Sequence, residues 1–470
     1  MTFDLRTFTD RLCRFPTTAG HEAPAAEWVR DQLADLGFET YTWDADATLL
    51  ADHPSFPDDL DADDVAGRTS VAGAFAFGEA TLDGDGADGD AADADAADAA
   101  DPYPTLVLNG HLDVVPTEPD EWDTDAFEPE WRDRDGEPTA DRDEGVTLTA
   151  RGAADMKAGF AACVGAALDL RDAVEADDVD LDARVVVEGV AGEEDGGYGA
   201  ATAAAANPYP FERDAALVAE PTELRPVVAC EGSLMAELEL TGRSAHAATR
   251  WVGEDVLPRF ERIRAAFREL ETERGERVTH PLYAEFPVPW PVVAGRVEAG
   301  SWASTVPATL TAAFRIGVAP GETVAQVEAE FRERLAAVAA DDPWLREHPP
   351  RFERFSVQFE PAEVDPATPV VEAVQAGMRA TDLHATEPKG ATYGADSRHY
   401  IEAGIPTVLF GPGTIEEAHF PNETVYWPEV EGSRRTIATA AAAFLGDDET
   451  VAADVAAAVA DDAAPERRDD

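Results

Sequence analysis

Short, mostly apolar runs recur along this chain, and each ends in a glycine-flanked turn or an acid. The run 105–108 leads into Asn109-Gly110-His111, and 184–190 leads into Gly192-Glu193-Glu194. The run 215–219 leads into Glu220, and 407–410 leads into Gly411-Pro412-Gly413 and on to His419. Runs of this length predict buried strands of an α/β fold. In open α/β sheets the loops at the carboxyl ends of the strands carry the ligands, so the four exits are expected to open on one crevice.

Between about Glu231 and Pro361 the pattern changes to strand, helix, strand, strand, helix, strand. Residues 234–240 alternate as a strand, 255–274 show helical spacing, and 307–318 read as a further strand. A second helix is predicted over 323–339 and a closing strand over 354–359. This is a smaller, ferredoxin-like α/β unit inserted in a larger one. The expected division is therefore 1–230 and 362–446 as one domain on a mixed sheet, with 231–361 inserted. Residues 80–101 alternate Asp, Ala and Gly with almost nothing to bury and are expected to form a disordered acidic insertion. Residues 447–470 are expected to be an acidic tail whose alanine-rich part is helical and frayed at its end.

Charge then narrows the function classes. The 470 residues carry 96 acidic against 36 basic side chains, a formal net charge of −60. Such a chain repels phosphate backbones and anionic lipid, which argues against nucleic-acid and membrane partners. Only Lys157 and Lys389 are lysines. Surplus Asp with so little Lys suggests solubility in concentrated salt, where the Debye length falls to about 3 Å at 1 M. Cys13, Cys163 and Cys230 are widely spaced in apolar surroundings and read as buried thiols of a reducing compartment. The first residues show no basic region followed by an apolar stretch, so a cytoplasmic protein is expected.

The residues at the strand exits are those that bind metals. A divalent pair about 3.5 to 4 Å apart needs a bridging carboxylate. Asp155, in the turn 151–159, is the candidate for that bridge. Asp155, Glu194 and Glu220 with two neutral histidines would leave one positive charge on two divalent ions, which a bridging hydroxide would cancel. Asp113 lies two residues from His111 and suits an acceptor that fixes the imidazole's tautomer. Glu193 and Glu194 are adjacent, so one is expected to ligate while the other moves a proton.

Taken in order, these segments resemble the M20 metallopeptidase and deacylase family, which includes acetylornithine deacetylases, succinyl-diaminopimelate desuccinylases and carboxypeptidases. The resemblance runs through Pro16 to Glu22, Gly110-His111-Leu112-Asp113, the 151–159 loop, Gly192-Glu193-Glu194, Ala219-Glu220-Pro221-Thr222, Gly242-Arg243-Ser244-Ala245-His246 and Ala418-His419. It implies that His111 and Glu220 hold one ion, Glu194 and His419 the other, and Asp155 both, with zinc favoured and cobalt an alternative. It also implies a cis peptide at Asp155-Met156 and Glu193 as general base for a metal-bridging hydroxide. His246 would stabilise the oxyanion in the partner subunit of a homodimer built through 231–361.

Two features bear on substrate. Glu-Pro-Thr at 220–222 resembles the deacetylase and desuccinylase branch, which implies release of an acetyl or succinyl group from an N-acyl amino acid; a carboxypeptidase or dipeptidase, or a metal-binding homologue without catalysis, are the alternatives. The small domain departs from the family pattern at Ser304-Thr305-Val306-Pro307 and Gly253-Glu254-Asp255-Val256. Arg315 is a candidate clamp for a substrate carboxylate because a planar guanidinium matches it bidentately. Arg398, in the glycine-rich segment after Lys389, and Lys157 are further substrate-binding candidates.

Overall fold

In the computed structural model, residues 3–51, 53–57, 60–83, 101–176, 180–446 and 449–461 are described here. The core of the expected insertion, 84–100, and the end of the tail, 462–470, lie outside them. A nine-stranded mixed sheet carries strands in the order Glu39–Asp44, Thr69–Phe77, Ala183–Val190, Thr105–His111, Ala215–Val218, Thr407–Leu409, Val227–Cys230 and Ala362–Glu363, with Lys389–Ala391 also paired to Val227–Cys230. The four central strands, from Ala183–Val190 to Thr407–Leu409, are mutually parallel. Their carboxyl ends therefore emerge along one edge.

These central strands are buried on both faces, as their unbroken runs require. Leu106, Leu108, Val185 and Val187 join one core, while Val107 and Val186 join the core on the opposite face. The first core is covered by helices Ala158–Glu175, Pro369–Ala380 and Trp427–Leu445. Glu449–Asp461, within the expected tail, is a helix whose Val451, Val455 and Val459 are buried in that same core. Gly159 is where Ala158–Glu175 meets the sheet: a Cβ there would lie 2.2 Å from the Ala219 carbonyl oxygen. Only a glycine lets the helix start so close to Glu220.

A separate four-stranded sheet runs Val292–Ala299, Thr309–Val318, Gly232–Thr241, Arg351–Arg354, all antiparallel. Along Gly232–Thr241 the residues Leu234, Ala236, Leu238 and Leu240 are buried while Met235, Glu237 and Glu239 are less covered, the period of a half-buried strand. The inner face packs on helices Leu257–Arg277 and Val324–Ala340, the second opened by a capping box at Thr323 and Gln326. The closing strand falls at Arg351–Arg354 rather than over 354–359. Ser356 takes φ +56°, which ends the extended run. The chain then crosses to the large domain, where the Gln358 amide donates to the Ser55 carbonyl. Among the described residues, no helix is long and apolar enough to cross a membrane, and Cys13, Cys163 and Cys230 are buried and unpaired.

Candidate metal centre

The parallel strand ends deliver four of the five expected ligands. His111 closes its strand, Glu194 sits in the turn after Ala183–Val190, Glu220 lies two residues beyond Ala215–Val218, and His419 comes from the loop after Thr407–Leu409. The fifth, Asp155, lies in the irregular turn Ala153–Lys157 ahead of helix Ala158–Glu175, and its peptide bond to Met156 is cis. Ligand atoms of His111, Asp155 and Glu220 lie within 4.8 Å of one another, as do those of Asp155, Glu194 and His419.

Asp155 belongs to both groups through different oxygens. Its Oδ1 is 3.1 Å from His111 Nε2, and its Oδ2 is 3.7 Å from His419 Nε2, which in turn lies 2.9 Å from a Glu194 oxygen. The donor set of imidazole nitrogens and carboxylate oxygens suits zinc or cobalt, and one carboxylate turned to two triads is the arrangement a paired site needs. His419 is held at φ +63° and is half exposed, so this side of the cluster is open.

The electrostatics show a cluster short of positive charge. Burial, the Asp396 carboxylate and Glu220 push Glu193 well above the usual carboxylate range, and burial with Asp155 does the same to Glu220. Burial also raises Glu194, although its bond to His419 opposes this. Burial alone would lower His111, but the Asp155, Asp113 and Glu220 carboxylates drive it well above its ordinary value. Without cations the cluster gathers protons, which is the behaviour expected of a metal site.

Asp113 stands beside His111 in a different way from that expected. The imidazole Nδ1 meets the Asp113 backbone carbonyl at 3.0 Å, whereas the carboxylate is 3.7 Å away. That carboxylate instead accepts from the backbone amides of Gly192, Glu193 and Glu194 at 2.8, 3.1 and 2.9 Å. Three donors in one turn outweigh a single ring nitrogen already satisfied by a carbonyl. Glu193 is buried and belongs to neither triad.

The expected substrate contacts are used internally. Lys157, fully buried, donates to the Phe15 carbonyl at 2.9 Å, and burial lowers it to about 8. Arg398 is buried, donates to the carbonyls of Gly196 and Ala395 and lies over the Phe359 ring at 4.0 Å. Arg315 donates to Glu231 and to the Thr392 carbonyl, linking the small sheet to the glycine-rich segment. His246 is exposed on the small domain, its Nδ1 accepting from the Ala248 amide, and belongs to neither triad. Lys389 pairs with Glu223 at 3.1 Å.

Two buried acids escaped the sequence reading as individual residues. Asp396 is 1 % exposed with both oxygens lacking a hydrogen-bond partner, and it acts on Glu193. Glu423 is fully buried under Asp155; burial and that neighbour push its carboxyl up to about 7. Glu423 does not directly follow a strand, and the strand before Asp396, Lys389–Ala391, is too short to show a period, so periodicity gave no signal for them.

Comparison with known proteins follows the same lines. A model described as peptidase family M20/M25/M40 matches residues 107–443. The N-formyl-4-amino-5-aminomethyl-2-methylpyrimidine deformylase of Halalkalibacterium halodurans is 28% identical over 362 residues, 72% of this chain and 78% of that protein. An acetylornithine deacetylase of Proteus mirabilis is 28% identical over 338 residues, 70% of this chain and 76% of its own length. Among solved structures, a tripeptidase from Staphylococcus aureus shares the fold with a TM-score of 0.64 at 16% identity, over 95% of this chain and 98% of that one.

Proposed function

Because the chain belongs to peptidase family M20/M25/M40, hydrolases of amide bonds, we propose that it removes a small acyl group, acetyl or succinyl, from an N-acyl amino acid. The observation that carries this reading is Asp155, whose two oxygens face separate groups of metal-type side chains, while the buried Glu193 belongs to neither group. In this proposal His111, Glu220 and Asp155 hold one divalent ion and Glu194, His419 and Asp155 a second, zinc by preference and cobalt as an alternative. Such ions, when bound, polarise an amide carbonyl and lower the pKa of water toward roughly 7.

The protein's own groups then move the proton. Glu193 takes it from the attacking water and returns it to the nitrogen of the departing amine, so that water and amide become carboxylic acid and amine. In the metal-free cluster burial and the Asp396 carboxylate hold Glu193 above the ordinary carboxylate range, and bound cations would draw it back toward the ionised form that a base needs. Asp113 keeps the Glu193-Glu194 turn fixed through its three amide bonds. Arg315, the most accessible of the three expected substrate cations, would clamp a substrate carboxylate only by leaving Glu231.

We further propose a homodimer through the small domain, in which His246 serves the partner's centre. Trp251 and Trp302 are 77 % and 72 % exposed on that domain, and the outer strand Val292–Ala299 exposes Val293 and Val297. Such an edge invites pairing.

The test is metal analysis together with a panel of formyl, acetyl and succinyl amides and dipeptides in molar salt, with and without chelator. Turnover of an acyl amino acid that chelator abolishes is the expected result. Turnover of dipeptides alone would establish the carboxypeptidase or dipeptidase reading, and bound metal without any turnover a non-catalytic homologue.

A further inference from the structure

Glu423 lies four residues after His419, with no part of its side chain exposed. Its Oε1 accepts from the backbone amides of Ala154 and Asp155 at 2.7 and 2.9 Å. Its Oε2 accepts from the Gly152 amide at 2.9 Å and from Arg151 Nη1 at 2.8 Å. A carboxylate offers about four lone-pair positions, and here four donors fill them.

The arrangement repeats that of Asp113, which lies two residues after His111 and accepts three amides of the turn carrying Glu194. Each metal-type histidine thus brings a buried carboxylate from its own segment, and that carboxylate grips the backbone of a loop bearing another ligand. The grips cross between the triads. Asp113, from the His111 side, holds the loop of Glu194 in the other triad; Glu423, from the His419 side, holds the loop of Asp155, which both triads share.

We propose that Glu423 is a positioning residue that fixes Asp155 so that each of its oxygens faces one ion, the counterpart of Asp113 at the other loop. The proposal rests on the two-ion reading above. The bonds reach the amide of Asp155 itself and those of the residues one and three before it, so the carboxylate controls where the Asp155 side chain leaves the backbone. An amide at 423 cannot replace it, because its NH₂ would face donors where an oxygen now accepts. Displacements of about 1 Å at such a site are enough to cost on the order of 10²-fold in function.

The test uses full-length protein stripped by chelator and titrated with Co²⁺ by calorimetry, with the visible spectrum recorded alongside. Wild type is expected to take up two ions per chain. Glu423→Gln is expected to weaken at least one of them by about 10–100-fold, the range for lost outer partners of metal ligands, and to alter the Co²⁺ spectrum while the metal-free chain stays folded by circular dichroism. Should Glu423→Gln not fold, Arg151→Gln removes one of the four donors and is expected to weaken binding by a smaller factor, about three- to ten-fold. Two ions bound by a folded variant with wild-type affinity and spectrum would overturn the proposal, whatever the change in melting temperature. A wild type that binds no ion would overturn the two-ion reading instead.

Discussion

The crevice of the large sheet and the small four-stranded domain hold their charges in opposite ways. In the crevice, His111, Asp155, Glu193, Glu220, Asp396 and Glu423 are all buried, with acids outnumbering cations and several carboxyls pushed upward. In the small domain, arginines and glutamates meet at the surface, as in Arg277 with Glu330, Arg296 with Glu237 and Arg351 with Glu239. Exposed pairs of that kind contribute about 0–1 kcal/mol each, so they serve solubility more than stability. The crevice, by contrast, gathers like charges at a cost that no surface requirement explains. Cations or protons must relieve it, and that need is what marks it as the reactive region.

Asp155→Asn attacks the contrast most directly, because it removes the one group shared by both triads. The expected result is a fall in kcat/KM of about 10⁴-fold, in the range seen when a member of a cooperating catalytic unit is lost, together with reduced metal content by elemental analysis. Retained turnover with full metal would show that the crevice acids are not a paired ligand set. Glu193→Gln should separate proton movement from ion binding. It is expected to lower kcat by about 10²–10⁴-fold while both ions remain bound, and a loss of metal instead would place Glu193 among the ligands.

His246→Ala asks whether the two regions meet in function although they differ in charge. Within one chain this imidazole is exposed, accepts from the Ala248 amide and belongs to neither triad. If the partner subunit supplies it to the reacting carbonyl, kcat should fall by about 10²–10³-fold, the scale of a lost oxyanion donor, with metal content and the dimer's sedimentation unchanged. Mixed with inactive Glu193→Gln protein, the His246→Ala chain should regain part of its activity as hybrid dimers form. Unchanged turnover in the single variant would confine the chemistry to the crevice.

What the sequence revealed follows the same division. The parallel strands and their ligand-bearing exits were legible because an unbroken apolar run has few alternatives to a strand buried on both faces, and because His111, Glu220 and the Gly192 turn fall just where those runs stop. The roles inside the crevice were less so. Asp113 was expected to meet the imidazole through its carboxylate, but its backbone carbonyl makes that contact and the carboxylate holds three amides, since hydrogen bonds to backbone depend on how a turn is folded and leave no trace in residue spacing. Glu423 was missed for the same reason. In the small domain the helices and the strands at 234–240 and 307–318 were readable by period. The closing strand was displaced because nothing in 354–359 betrays the left-handed turn at Ser356. Lys157 and Arg398, read as cations for a substrate, are spent on the carbonyls of Phe15, Gly196 and Ala395.

Asp342 gives the finest test, since it is a buried acid of the small domain whose carboxyl is displaced in the direction opposite to those of Glu193, Glu220 and Asp396 in the crevice. Burial alone would raise it, but the Arg262 guanidinium, the amides of Leu345 and Trp344, and Arg259 together pull it down to about 2 from an ordinary 3.8. Here each buried charge has its partners, as at an N-cap supported by cations. The folded chain therefore releases this proton more readily than the unfolded one. Its contribution is fully present above about pH 4 and is lost as the pH falls toward 2. Asp342→Asn keeps a side chain able to cap helix Pro343–Glu347 and removes only the charge. It should destabilise by about 1.5–3 kcal/mol at neutral pH, the scale of a lost charged hydrogen bond, and by progressively less between pH 4 and 2, measured as the difference in urea midpoint from wild type. Activity should be untouched, because Asp342 supports the small domain and none of the ligand loops. A difference that stays constant down to pH 2 would mean that the paired charge is not what holds this corner, and the contrast with the crevice would then rest on burial alone.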